Sequence, residues 1–236
     1  MRIDKRQNDE LRPITIKRNV MKYAEGSAFI ECGETKVLCT ASVSFESPPF
    51  REGKGWVTAE YNMLPRATQQ RNKRDISSLK KNSRASEIER LIGRSLRACC
   101  DLDAFYDATI IIDCDVIQAD GGTRTASITA GYVALYDAFE WMKESGYINR
   151  NPVICQIAAI SAGIVHNEVM VDLCYAEDSN AQVDVNVVTD SFGNIAEIQA
   201  TGEKSTFDKE QLDEIIALSQ KSIEKIMEIQ RKCLAE

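Results

Sequence analysis

The sequence predicts one compact domain in which β-hairpins alternate with long helices, and three observations carry that reading. The first sixty residues hold two β-rich runs, Ser27 to Cys32 and Thr35 to Val43, on either side of the two-residue turn signal Gly33-Glu34. A second block, Val153 to Tyr175, repeats the pattern around His166-Asn167-Glu168, and Ser27-Ala28-Phe29-Ile30 bears a faint likeness to Ser161-Ala162-Gly163-Ile164. Three stretches with helical periodicity complete the chain, and no linker separates two halves, so residues 1–236 are expected to fold as a single domain.

The first helix is expected from about Ala85 to Cys100, where Ile88, Leu91, Ile92, Leu96 and Cys99 share one face. Ser86 with Glu89 has the pattern of a capping box near its start. Arg90, Arg94 and Arg97 fall in a stripe on the opposite face, a solvated surface or an RNA contact. The second helix, Thr125 to Met142, is apolar nearly all round, so sheets or neighbouring helices must cover it. The third starts at Asp208, with Gln211 completing a capping box, and runs towards the C-terminus through Leu212, Ile215, Ile216, Ile223, Ile226 and Ile229. Gln69 to Asn82, polar and charged, reads as a mobile loop.

An apolar strand from Thr109 to Ala119 runs into Gly121-Gly122, and the second helix follows at once. Glycines at such a junction let the backbone approach a ligand, and the helix start offers free N–H groups to an anion. Arg124 adds a forked cation that suits two phosphate oxygens, with Asp113, Asp115 and Asp120 in the same segment. From the residues alone, a tight turn with a solvated arginine describes this segment as well as a phosphate site does. It matches neither the dinucleotide fingerprint nor the P-loop. Further on, Val183, Val185 and Val187 alternate with Asp184 and Asn186, a strand with a polar face, and Asp178 lies in the turn before it. Two carboxylates converging near a phosphate could hold Mg²⁺, although aspartate on an exposed strand face is commonplace.

Composition narrows the chemistry. The single histidine, His166, reads as a hairpin-turn residue, which makes a Ser-His-Asp triad or a two-histidine metal site improbable. Eight cysteines lie mostly in apolar runs without a C-x-x-C pair, so they are read as buried thiols, with the adjacent Cys99 and Cys100 pointing apart on a helix. No apolar run is long enough to span a bilayer, and the start lacks the apolar region of a signal peptide, so a cytoplasmic protein is expected. The net charge is −7, yet Arg66 to Arg97 carries ten basic and three acidic residues, a +7 island on a remainder of −14. Such an island is the footprint of a phosphate backbone, with Arg66, Arg71, Arg74, Arg90 and Arg94 as candidate RNA contacts.

The segment Ala119-Asp120-Gly121-Gly122-Thr123-Arg124-Thr125-Ala126-Ser127 resembles the phosphate-binding signature of the bacterial ribonuclease PH family, which are phosphorolytic exoribonucleases. Supporting matches run along the chain, among them Gly55-Trp56-Val57-Thr58-Ala59-Glu60-Tyr61, Glu89-Arg90-Leu91-Ile92-Gly93-Arg94-Ser95 and Tyr175-Ala176-Glu177-Asp178-Ser179. The resemblance implies an α+β fold of the ribosomal-protein-S5-domain-2-like type, with mixed sheets packed against helices. It implies that Arg84, Gly122, Thr123 and Arg124 bind inorganic phosphate, the co-substrate. It also implies that Asp178 and Asp184 are catalytic and hold Mg²⁺ or Mn²⁺. The expected substrates are 3′ ends of precursor tRNA and other structured RNA. The expected assembly is a homohexamer built as a trimer of dimers, whose subunits carry arginines like Arg2, Arg6 and Arg12. Local departures, such as Ser83-Arg84-Ala85-Ser86 for Gly-Arg-Thr-Met and Ala200-Thr201-Gly202-Glu203 for Gly-Thr-Ala-Glu, remove no functional group. The rival, a non-catalytic RNA-binding ring subunit, typically lacks the phosphate-site arginines or the aspartates, and this chain has both.

Overall fold

The computed structural model describes residues 2–74 and 82–235. Strands β1 (Ile14–Arg18), β2 (Gly26–Cys32), β3 (Thr35–Ser44), β4 (Trp56–Met63) and β5 (Thr109–Gln118) make a five-stranded sheet in the order β1-β2-β3-β5-β4. All its pairings are antiparallel except β4 with β5. Strands β6 (Ile157–Val165), β7 (Glu168–Val171), β8 (Val183–Asp190) and β9 (Ile195–Gly202) form a second, wholly antiparallel sheet in the order β7-β6-β8-β9. The result is the expected α+β arrangement, in which mixed sheets pack against helices.

Helix α1 (Ser83–Ala98) lies on β4, and α2 (Thr123–Glu144) lies between the sheets, against β2, β3 and β5 on one side and β6 on the other. That placement explains the all-round apolar character of α2: Ile128, Val133, Leu135 and Phe139 are all fully buried. The one-turn α3 (Tyr175–Asp178) precedes β8, and α4 (Lys209–Ala235) covers β6, β7 and β1 through Ile215, Ile223 and Ile226. Its capping box forms as expected, with Gln211 N donating to Asp208 Oδ1 at 2.8 Å and Asp208 N to Gln211 Oε1 at 3.0 Å.

Both hairpins close where their turn residues predict. His166 and Asn167 adopt φ of 53° and 63°, the left-handed pair that a tight two-residue hairpin turn requires. Two local readings need correction. Helix α1 starts one turn before the Ser86-Glu89 pattern, because Asn82 accepts from Arg84 N and caps it instead. Asp178 ends the one-turn helix α3, in the turn expected before β8. Helix α1 stops at Ala98, so Cys99 and Cys100 do not diverge at a helical angle. Their sulfurs lie 3.8 Å apart, and both donate to Leu96 O. None of the eight cysteines is in a disulfide. The expected loop Gln69 to Asn82 and the basic residues Lys80 and Lys81 fall partly or wholly outside the described residues.

Candidate active site

Two parallel strands, β4 and β5, end on the same edge of the first sheet, and their C-terminal ends feed a cleft of about 1190 Å³. Open α/β edges place ligands in this way, because the strand ends and the helix starts that follow them leave backbone groups unpaired. Arg84 comes from the first turn of α1, and Gly121, Gly122, Thr123 and Arg124 from the β5–α2 junction. Asp178 comes from α3, and Asp184 with Asn186 from β8. All of them line this one cleft, so residues separated by a hundred positions converge.

The junction is built by its glycines. Gly121 and Gly122 take φ of +78° and +67°, and a Cβ on Gly121 would lie 2.4 Å from Leu173 O. Gly122 occupies the N-cap position of α2, and no side chain caps that end. The 22-residue helix therefore presents its first N–H groups and the positive end of its dipole to the cleft. Tyr61 and Thr123 share a hydroxyl–hydroxyl hydrogen bond of 2.8 Å, which fixes the Thr123 side chain. Arg124 Nη1 donates to Gln199 Oε1 at 2.8 Å, and Gln199 Nε2 donates to Glu87 Oε1 at 2.5 Å. The guanidinium is thus steered from β9 and α1.

The carboxylates face this positive wall. Burial raises the Asp178 pKa, opposed by the charges of Arg124 and Arg84. Burial, and then the charge of Asp178, push Asp184 to about 6. A half-buried carboxylate pair that repels itself in this way suits a divalent cation, which would relieve both the burial and the repulsion. Among the described residues no third His, Cys, Asp or Glu joins them as a metal cluster. An ion here would draw its remaining ligands from water and substrate, as Mg²⁺ commonly does. Asp115 lines the cleft, while Asp113 pairs across the sheet with Glu60, and burial raises both aspartates.

The RNA-contact candidates are scattered more widely. Arg74 and Lys73 line the cleft, whereas Arg66, Arg71 and Arg90 are exposed outside it. The stripe on α1 is largely engaged within the chain. Arg94 makes a bidentate pair with Glu197 at 2.7 and 2.9 Å. Arg97 stacks over Trp56 at 4.2 Å and donates to Val57 O. The N-terminal arginines are also committed internally. Arg2 binds Glu177 at 2.7 and 2.8 Å, and Arg12 binds Asp172 through its side chain and its own amide. Burial drives Asp172 and Glu177 upward, but Arg12 and Arg2 outweigh it and hold both carboxyls below their usual range. Glu177 is therefore a structural partner beneath Asp178 and does not itself line the cleft.

Sequence reasoning missed Gln199, which steers Arg124, and Ser161, whose buried hydroxyl beside Gly122 has no partner among the described residues. It also missed Thr35 and Arg12, which bond the glycine junction from below. None carries a local signal, because each acts across sheet register or chain distance.

A helix start, paired carboxylates and a basic rim in one cleft define a protein that handles phosphorylated ligands. Residues 10–139 match the model of domain 1 of the 3′ exoribonuclease family, and residues 155–222 match its domain 2. The chain belongs to that family. A ribonuclease PH from Geobacillus sp. (strain WCH70) is 51% identical over 239 residues, spanning 100% of this chain and 94% of that protein. Solved structures share the fold. The Archaeoglobus fulgidus exosome with RNA bound to the active site superposes with a TM-score of 0.83 at 24% identity, covering 96% of this chain and 91% of that one. Rice (Oryza sativa) Rrp46 superposes with a TM-score of 0.80 at 21% identity, covering 99% and 100%.

Proposed function

We propose that this chain is a phosphorolytic 3′-to-5′ exoribonuclease that trims the 3′ ends of precursor tRNA, and other structured RNA, in the cytoplasm. Its full-length likeness to a ribonuclease PH supports the activity. The observation that carries the reading is the uncapped start of α2, with Arg124 and Arg84, facing Asp178 and Asp184 across one cleft. An enzyme that used only water would need no anion cradle beside its carboxylates.

In this reading Gly122, Thr123, Arg124 and Arg84 hold inorganic phosphate in line with the last phosphodiester of the RNA. A phosphate oxygen attacks the terminal phosphorus, the bond to the preceding O3′ breaks, and a nucleoside 5′-diphosphate leaves. The proton that the new 3′-hydroxyl needs comes from hydrogen phosphate, and Asp184 stands in the same cleft to assist its transfer. Asp178 and Asp184 would hold Mg²⁺ or Mn²⁺, which when bound offsets charge on the phosphoryl oxygens. Positioning and charge neutralisation supply the rest. The exchanged bonds are alike in energy, so excess nucleoside diphosphate drives nucleotide addition. The active assembly is a homohexamer, a trimer of dimers, like the rings this family forms.

The test is RNA digestion with and without inorganic phosphate, with the mononucleotide product identified. Nucleoside diphosphates formed only with phosphate are expected. Monophosphates at an undiminished rate in phosphate-free buffer would overturn the reading.

A further inference from the structure

We infer that Thr35, assisted by Arg12, is a positioning residue for the nucleophilic phosphate, acting through the backbone of the glycine junction. Thr35 opens β3 and is completely buried, away from the cleft lining. Its hydroxyl uses both of its bonding roles on this junction: it donates to Gly121 O at 2.7 Å and accepts from Asp120 N at 2.9 Å. Arg12, also buried, donates from Nη1 to Asp120 O at 2.5 Å. Asp172 holds the other edge of the Arg12 fork, so that cation cannot swing away.

The consequence follows from peptide geometry. In a planar trans peptide the C=O of one residue and the N–H of the next point in opposite directions. Drawing the Asp120 and Gly121 carbonyls down into the protein therefore turns the Gly121 and Gly122 N–H groups up, where they donate to no group among the described residues. Both residues are glycines in left-handed conformations, which nothing in their own chemistry would hold. Two consecutive amides aimed together make a nest that suits an anion. Thr35 and Arg12 thus set the direction of the cradle from behind, and neither touches the phosphate.

The inference rests on the phosphate reading of the cleft, and the test separates the two. Inorganic phosphate is titrated into the full chain by calorimetry for wild type, Thr35→Val, Thr35→Ser and Arg124→Ala. KM for phosphate and for RNA is measured alongside. Thr35→Val keeps the shape and removes both bonds, so phosphate affinity should fall about five- to tenfold while KM for RNA moves less than about twofold. Thr35→Ser keeps the hydroxyl and should restore most of the phosphate affinity, although it packs less well than valine. A role in packing alone predicts the reverse order.

Should Thr35→Val fail to fold, Arg12→Lys keeps the charge beside Asp172, loses the fork, and should shift phosphate KM in the same direction. Normal phosphate affinity in Thr35→Val, with loss in Arg124→Ala, would overturn the inference and leave the cradle standing. Equal loss in Thr35→Val and Thr35→Ser would also overturn it. No phosphate binding by wild type would remove both.

Discussion

Asp184 feels the charge of Asp178: after burial, that neighbour is the largest influence lifting the Asp184 carboxyl to about 6. A carboxyl raised on folding stabilises the native state while it is protonated. In metal-free protein that contribution is complete below pH about 4 and is lost as pH rises through about 6. Urea unfolding of wild type and Asp184→Asn between pH 4 and 7 should therefore diverge, with the variant the more stable at neutral pH and catalytically inactive. Asp178→Asn should lower the Asp184 pKa, read by carboxyl NMR. An Asp184 that titrates near its ordinary value in wild type would show that the two carboxyls do not interact.

Arg124 is held by Gln199, whose amide is itself oriented by Glu87. Arg124→Ala should raise phosphate KM by about tenfold or more, since a bidentate charged fork is lost, and Arg124→Lys should recover only part of it. Gln199→Ala leaves the charge in place and should raise phosphate KM only about two- to fivefold, the scale of a single hydrogen bond. Steady-state kinetics against phosphate at saturating RNA decides the order. Equal effects of Gln199→Ala and Arg124→Ala would mean that the guanidinium acts through Gln199 and not on phosphate.

The fold and the centre of the site were legible because their signals are local. Gly33-Glu34 and His166-Asn167 announce hairpins within a few residues, and the all-round apolar Thr125 to Met142 announces a helix between sheets. Gly121-Gly122-Thr123-Arg124 marks a strand-to-helix junction that reads equally as a tight turn or an anion cradle, and the family resemblance is what favours the cradle. The supports of that cradle were not legible. Gln199 reaches Arg124 only because β9 pairs with β8, and Arg12 reaches Asp120 across 108 residues of chain. The stripe Arg90, Arg94, Arg97 read as solvent-facing because its partners, Glu197 and Trp56, lie on strands that helical spacing cannot see.

The buried Arg12–Asp172 pair should be costly to break from one side. Arg12→Ala leaves the buried Asp172 with only Arg6, 3.3 Å away, as counter-charge, at a cost in urea unfolding below the about 3–5 kcal/mol of a fully uncompensated buried charge. Asp172 sits below its ordinary pKa, so the stability the pair contributes is present above pH about 4 and is lost as pH falls through the depressed value. The gap between wild type and Asp172→Asn should accordingly close in acid. A gap that stays constant down to pH 2 would assign the loss to packing and not to charge.

RNA binding should depend on the cations that the fold leaves free. Arg71, Arg74 and Arg90 are exposed, whereas Arg94 is paired to Glu197 and Arg97 is stacked on Trp56. Each phosphate contact to a single strand contributes about 0.7 to the slope of log affinity against log salt, through counterion release. Replacing Arg71, Arg74 and Arg90 together by alanine should therefore flatten that slope by about 2 and weaken binding at low salt. Arg94→Ala should change the slope little, because Glu197 already neutralises that charge. Turnover of a very short oligonucleotide, which reaches only the cleft, should suffer less than turnover of a tRNA precursor. Fluorescence anisotropy of a labelled RNA across a salt series reads all of this directly. An unchanged slope in the triple variant would mean that these arginines are merely solvated, and that the remaining cleft cations Lys73 and Arg84 carry the RNA alone.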